Sequence, residues 1–573
     1  MKRIAILVMF SLLASLLSLA QKSDNPGKEI DSLFTGRGEV YFSFAINNYE
    51  EIHNLTRAIS IDNVKGKEVF AYANKKEFIN FLTLGYKYIV HQHPGTLIPA
   101  SELLPPDLSS DNPATVWNFY PSYQQYLDYM SGFVNAHPGI CRLDTVGTSI
   151  QGRLILSIRI SDNVNITEPE PQFLYTSSIH GDETTGYVLM MHLIDYLLEG
   201  YGSDPRVTDI INNTVVVINP LANPDGTYHG GNGSVYGAVR YNANNIDLNR
   251  NYPDPKVGPH PDGNAWQPET VAWMEYAENN KFSLSMNFHG GEEVFNYPWD
   301  TWAKLTADDT WWRFIAREYV DTIHLYSPVN YMSDFDNGIT NGYAWYEING
   351  GRQDYMNYWH YCREATLEIS DVKLLAASQL INHWNYNYRS LLNYIEQVRY
   401  GFSGIVTDTV TGEPLQAKVF IFGHDMDNSF VYSSMQTGFY TRPIAEGTYD
   451  ATFSSPGYYS KSIKDINVTK WNTTSLNVQL RPLTFGVDEI STGVAHVYPN
   501  PTNGEFRIML PEGINAQLEI SIMNSMGDEI LSQRVWCENG MISQRFIINQ
   551  SGLFLVKISG HQYSSSIKVL VVR

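Results

Sequence analysis

The stretch Phe173-Leu-Tyr-Thr-Ser-Ser-Ile-His180-Gly-Asp-Glu183-Thr-Thr-Gly-Tyr-Val-Leu-Met-Met-His-Leu-Ile-Asp-Tyr-Leu-Leu198 runs from an apolar segment, through a polar turn, into a second apolar segment of helical length. Phe173–Ser178 reads as a buried strand and Thr184–Leu198 as a helix. Thr214–Ile218 and Phe282–Phe288 are further short apolar runs rich in β-branched and aromatic residues, as strands covered on both faces require. Such strands alternate with helical stretches from 117 to 399. The alternation predicts an α/β domain, a mixed sheet with helices on both faces.

Working outward, the chain changes character on each side. Val40–Phe44, Val69–Ala73 and Tyr86–Val90 read as strands, with helices at Tyr49–Ile59 and Lys75–Leu84, so residues 21–93 form a small α+β segment. Its position before the larger domain suggests a pro-segment. Pro94, Pro99, Pro105, Pro106 and Pro113 mark 94–116 as a linker. Beyond 400, short strands broken by turns predict a β-sandwich over 400–482, a linker over 483–493 and a second all-β domain over 494–573. At 573 residues the chain is too long for one core.

Lys2 and Arg3, the apolar run Ile4–Leu17 and the small residues Ser18 and Ala20 read as a signal peptide over 1–20. Only three cysteines are present, which excludes a disulfide framework or a Cys-based zinc site. The formal charge of −21 argues against a nucleic-acid partner. Nothing calls for a second copy, so a monomer is expected.

Metal ligands are sought among the 15 histidines. His-x-x-Glu occurs at His180/Glu183 and again at His289/Glu292, each following an apolar strand, where open α/β sheets place their sites. Catalytic zinc takes three protein ligands from imidazole and carboxylate and keeps a position for water. One pair and a single His from the other strand supply that number, but the pattern does not say which Glu is the ligand.

His180-Gly-Asp-Glu183, Asn223-Pro-Asp-Gly226, Arg240-Tyr-Asn-Ala-Asn-Asn-Ile-Asp247-Leu-Asn249-Arg250-Asn251 and His289-Gly-Gly…Asn296-Tyr-Pro-Trp-Asp300 follow in order. Asn341-Gly-Tyr-Ala-Trp-Tyr346, Gly350-Gly-Arg-Gln353-Asp and Thr366-Leu-Glu368-Ile-Ser complete the series. Together they resemble the zinc metallocarboxypeptidases, in particular the carboxypeptidase E/N/D branch, over about 117–482. The resemblance implies one Zn²⁺ held by His180, Glu183 and His289, with Asp247 orienting His180. It implies Glu368 as general base, Arg240 facing the scissile carbonyl and Tyr346 over the substrate. Asn249 and Arg250 would bind the C-terminal carboxylate of a peptide or protein.

A guanidinium grips a carboxylate through two parallel hydrogen bonds, which suits an exopeptidase. Asp300 and Gln353 fall at pocket positions, and the carboxylate of Asp300 implies release of C-terminal Lys or Arg. Arg352 departs from the branch pattern, and a cation aimed into the pocket would oppose that preference. A same-fold peptidase acting on cell-wall peptides, and a catalytically dead binding protein, are the competing readings.

Residues 400–482 look like the transthyretin-like sandwich of this branch. Tyr498-Pro-Asn-Pro-Thr-Asn-Gly504 and Ser551-Gly-Leu-Phe-Leu-Val-Lys557 resemble the C-terminal sorting domain of type IX secretion substrates. That resemblance implies the outer-membrane secretion machinery as a partner and a secreted or cell-surface location.

Overall fold

The computed structural model describes residues 26–103, 117–483, 495–560 and 563–573. The signal peptide expected over 1–20 lies outside the described residues, as do the linker beyond 103 and residues 484–494. No helix among the described residues is long and apolar enough to cross a membrane.

After helix α1 (Pro26–Leu33), the N-terminal module is a four-stranded antiparallel sheet, β1 (Glu39–Ala45), β2 (Ser60–Lys65), β3 (Glu68–Asn74) and β4 (Tyr88–Val90), in the order β2-β3-β1-β4. Helices α2 (Glu51–Leu55) and α3 (Lys75–Thr83) complete it. Asn74 starts α3 with a capping box, its side chain accepting from Glu77 N while Glu77 reaches back to Asn74 N. Phe42, Phe44, Phe78 and Phe81 form the module's apolar centre. Two expectations fail here. The helix expected over 49–59 stops at Leu55, and β2 was not foreseen. Ser60, Asp62 and Asn63 are poor strand formers, and Ser60 to Asn63 are all buried, so β2 shows no alternating pattern.

The central domain carries the expected mixed sheet. Its strands are β5 (Cys141–Thr148), β6 (Leu154–Ile160), β7 (Gln172–Ser177), β8 (Val215–Asn219), β9 (Phe282–His289), β10 (Glu292–Tyr297), β11 (Ile339–Asn341) and β12 (Arg363–Ser370). The order is β11-β10-β12-β9-β7-β8-β6-β5, and the inner strands β12, β9, β7 and β8 run parallel. Alternate residues face opposite ways, as the pleat demands. Phe173 and Tyr175 join the core built with helices α4 (Tyr123–Ala136), α5 (Thr185–Gly200), α6 (Pro205–Asn213), α7 (Pro224–Thr227, through the adjoining Tyr228), α9 (Asp309–His324) and α12 (Ala377–Gln397). Leu174 joins the opposite core with α8 (Pro268–Asn279) and α11 (Arg352–Trp359). A short helix α10 (Gly342–Trp345) precedes Tyr346.

Residues 401–480 form two four-stranded sheets packed around Phe402, Val406, Val419 and Phe453. A buried ion network ties this sandwich to the central domain. Arg442 donates to both oxygens of Asp308 at 3.1 and 2.9 Å and to Asp425 at 2.7 Å, while Arg363, which opens β12, donates to Asp308 at 2.9 Å. The C-terminal unit is a separate all-β body whose strands alternate buried and exposed residues around Phe506, Ile520, Val556 and Val569. Cys141, Cys362 and Cys537 are buried and unpaired.

Deleting one member of a buried ion pair leaves its partner uncompensated and costs about 3–5 kcal/mol. Arg442→Met is therefore expected to destabilise the central domain and sandwich by a few kcal/mol in urea unfolding. An unchanged midpoint would contradict this role for the network.

Candidate active site

Parallel neighbours end on the same edge of a sheet, and that edge gathers the candidate residues. His180 lies just beyond β7 and His289 ends β9, where Ser177 stands opposite Phe288. Glu368, on β12, stands opposite His289. His180 and Glu183 are joined by a tight turn closed by Glu183 N donating to His180 O. The turn is clamped from below. Asn223 Nδ2 donates to Ile179 O at 3.2 Å, and Thr227 Oγ1 donates to Gly181 O at 2.8 Å. A Cβ at Gly181 would lie 2.3 Å from the Gly226 backbone, so the position demands glycine.

The three side chains converge. His180 Nδ1 is 2.9 Å from Glu183 Oε1, His289 Nδ1 is 2.8 Å from Glu183 Oε2, and the two Nδ1 atoms are 3.0 Å apart. Glu292 is elsewhere, its carboxylate accepting from Asn63 Nδ2. The donor set fits a metal ion. His180 Nε2–H donates to Asp247 Oδ1 at 3.1 Å, which leaves the Nδ1 lone pair facing the other two groups. Burial pushes the His289 imidazole down to about 4, so it is neutral at pH 7. Burial would raise Glu183, but His180 and Lys373 beside it outweigh burial and hold the carboxyl well below its usual range. His180, Glu183 and His289 each offer one ligand atom close enough together to hold one metal ion, and imidazole and carboxylate are ligands zinc accepts. A second cluster, Glu39, His93 and Asp182, is also close enough for a metal. Two of its three residues are already engaged: His93 Nδ1 accepts from Gly95 N, and Glu39 accepts from His93 Nε2 and from Arg240 N and Tyr241 N.

The remaining candidates surround the triangle. Asp247 accepts from Arg240 Nε at 3.1 Å and from Asn249 N at 2.9 Å. Its carboxyl lies well below the ordinary range despite burial, because Arg240, His180 and Arg250 surround it. Asn249 Oδ1 accepts from Arg352 N, which turns its amide nitrogen the other way. Arg250 donates Nη1 to Asn249 O, but its buried Nε finds no partner among the described residues. Glu368 Oε2 is likewise buried and unpartnered, and burial together with Glu183 holds its carboxyl well above the usual range. Asp300 accepts from Asn296 Nδ2 at 3.1 Å and Gln353 Nε2 at 3.0 Å, and burial pushes it up to about 6.

Arg352 does not oppose Asp300. It donates to Thr176 Oγ1 and Glu364 Oε2 and lies 4.6 Å over the Trp273 ring. Tyr346 is buried, its hydroxyl 3.5 Å from Ile61 O of β2.

One residue escaped the sequence reading. Lys373 Nζ is 2.6 Å from Glu183 Oε1 and 2.5 Å from Asp62 Oδ1. It is the only lysine between Lys304 and Lys418 and follows the Thr366–Ser370 motif, a signal that was available. The cavity at the site is only about 20 Å³, lined by Asp62, His180, Arg250, His289, Tyr346 and Glu368 among others.

Comparison with known proteins identifies the family. Residues 126–390 match the family model described as zinc carboxypeptidase, 401–481 the carboxypeptidase regulatory-like domain and 496–573 the secretion system C-terminal sorting domain. The chain is 37% identical to carboxypeptidase SOL1 of Arabidopsis thaliana, over 58% of this chain and 67% of that one. It is 33% identical to the carboxypeptidase N catalytic chain of Mus musculus, over 63% of this chain and 86% of that one. It is 34% identical to carboxypeptidase D of Rattus norvegicus over 73% of its own length, but spans only 31% of that protein. Among solved structures, carboxypeptidase A from Helicoverpa armigera aligns at 19% identity and a TM-score of 0.49, covering 62% of this chain and 96% of that one.

Removing the hydrogen-bond partner that orients a metal-binding imidazole typically lowers metal affinity about 10–100-fold. Asp247→Ala is expected to show a loss of that size in zinc competition against a chromophoric chelator. An unaltered affinity would remove Asp247 from the site.

Proposed function

This chain belongs to the zinc carboxypeptidase family, and on that premise we propose that it removes the C-terminal residue of peptides and proteins, with preference for Lys or Arg. The observation that carries the proposal is Arg250. A buried guanidinium with an unpartnered Nε, beside three converging metal-type ligands, offers an unmade donor to an anion. Leaving a buried donor unmade costs about 1–3 kcal/mol, and the terminal carboxylate of a substrate would satisfy it.

In this reading His180, Glu183 and His289 hold one Zn²⁺, and Asp247 fixes His180. Bound zinc supplies Lewis acidity and makes water a competent nucleophile at neutral pH. Arg250 and the amide nitrogen of Asn249 bind the substrate's α-carboxylate, which places the last peptide bond beside Glu368. Glu368 takes a proton from the attacking water and returns it to the leaving amine, a task that suits a carboxyl whose proton affinity is raised. Arg240 offers fixed positive charge to the carbonyl oxygen, a donor of the kind worth about 3–4 kcal/mol. Tyr346 would close over the substrate once freed from β2. Asp300, with Gln353 beside it, receives the cationic side chain, while Arg352 is neutralised by Glu364.

We further propose that the C-terminal domain takes the chain through the outer-membrane secretion machinery to a secreted or cell-surface location. The match of 496–573 to a sorting domain supports this.

Two measurements test the enzymatic reading. Losing a general base costs about 10²–10⁴-fold in rate, so Glu368→Gln should lose kcat by that factor while still binding zinc. For paired peptides ending in Arg and in Leu, kcat/KM should favour Arg, and Asp300→Ala should cut the preference about tenfold or more, as loss of a charged hydrogen bond does. Equal rates on both peptides in the unmodified chain would end the basic assignment.

A further inference from the structure

Lys373, which no motif announced, sits where the two turns that carry the candidate metal ligands meet. It lies just past Ser370, in the short segment between β12 and α12. That segment is anchored: Leu374 and Leu375 are buried in the central core, and Tyr120 O–H donates to Leu375 O at 2.9 Å. The lysine backbone holds the first turn, since Thr184 N, directly after Glu183, donates to Lys373 O at 3.2 Å. Its ammonium reaches the same turn from the other end, with Nζ donating to Glu183 Oε1 at 2.6 Å.

The second turn is held in the same way. Nζ donates at 2.5 Å to Gly290 O, the carbonyl next to His289, and Gly291 N donates to Ser370 O at 2.7 Å. The lysine stem needs the path that Gly291 leaves open. A Cβ there would lie 2.6 Å from Lys373 Cε, and a φ of +112° already favours glycine. An ammonium has three donors, and the third partner is Asp62 Oδ1 at 2.5 Å. Lys373 is only 6% exposed, so little water competes for any of the three.

We propose that Lys373 is a positioning residue for the metal triangle: one ammonium ties the Glu183 carboxylate to the turn that carries His289, so that both present their ligand atoms to one ion. The inference rests on the zinc-binding reading of the same three residues. A metal site needs its ligands held within about 0.5 Å, and groups behind the ligands supply that order. His180 has Asp247 for this purpose. Glu183 has Lys373 and, more loosely, Arg240 Nη1 at 3.4 Å. His289 has no such support on its far side, where Nε2 is buried and unpartnered among the described residues. Its ring is therefore placed through its backbone, and the Gly290 carbonyl is the handle that Lys373 grips. An ammonium also repels an incoming cation. Asp62 sits against it and offsets that charge, so the ordering of the ligands outweighs the repulsion and Lys373 tightens zinc binding.

The test is the zinc affinity of the full-length chain, measured in competition with a chromophoric chelator, beside urea unfolding of the zinc-free protein. Lys373→Met keeps the stem and removes the ammonium, and it should weaken zinc about 10–100-fold while the urea transition stays cooperative. With cobalt in place of zinc, the visible absorption bands of Lys373→Met should move, which a lysine needed only for folding would not cause. Gly291→Ala leaves every charge in place and displaces the stem, so it decides the matter where Lys373→Met does not fold. It should also weaken zinc about tenfold. A folded Lys373→Met that holds zinc as tightly as the unmodified chain, or more tightly, would overturn the positioning role and leave the peptidase reading intact. The same result for Gly291→Ala, where Lys373→Met does not fold, would do so equally. No zinc bound by the unmodified chain would instead overturn the peptidase reading, and this inference with it.

Discussion

The site depends on strand register. β7, β9 and β12 are parallel neighbours, with Ser177 opposite Phe288 and His289 opposite Glu368. Because parallel strands finish on one edge, His180, His289 and Glu368 arrive together without any long-range steering. A one-residue slip would turn His289 to the opposite face. The slip is prevented by burial on both sides, since Phe173 and Tyr175 are committed to one core and Leu174 to the other. The apolar cores thus hold the chemistry in place from a distance.

That edge concentrates charge, and a buried charge survives only with a partner. Asp247 sits between His180 and Arg240, Arg352 is matched by Glu364, and Glu183 is shared among two imidazoles and Lys373. Buried polar atoms without a hydrogen-bond partner are also found here, His289 Nε2, Asn296 Oδ1 and Gln353 Oε1 among them. Arg250 Nε and Glu368 Oε2 lack partners within the described chain. In the proposed reading these two atoms meet a peptide carboxylate and the reacting water.

Much of this was legible beforehand, for identifiable reasons. Strands such as Phe282–Phe288 announce themselves because both their faces are apolar. The order of the motifs around His180, Arg240 and Glu368 was equally plain. Spacing alone does not choose between Glu183 and Glu292, because it is identical in the two pairs; the ordered motifs imply Glu183, and the fold sends its carboxylate into the triangle and that of Glu292 to Asn63. Arg352 misled for a similar reason. Its position suggested the pocket, while its long side chain reaches back to Thr176, Glu364 and Trp273.

β2 escaped notice because of what it packs against. A strand covered on both sides is ordinarily apolar, and pattern reading searches for that. Here the covering surface is a charged cleft, so burial selects Ser60, Asp62 and Asn63, residues that can answer Asp247, Lys373 and Gly291. The same polarity shapes the module's attachment. It has its own core around Phe42 and Phe81, and apart from a few side chains such as Trp345 and Tyr346, much of what joins it to the central domain is hydrogen bonds and ion pairs. Interfaces of this kind resemble transient ones more than permanent ones.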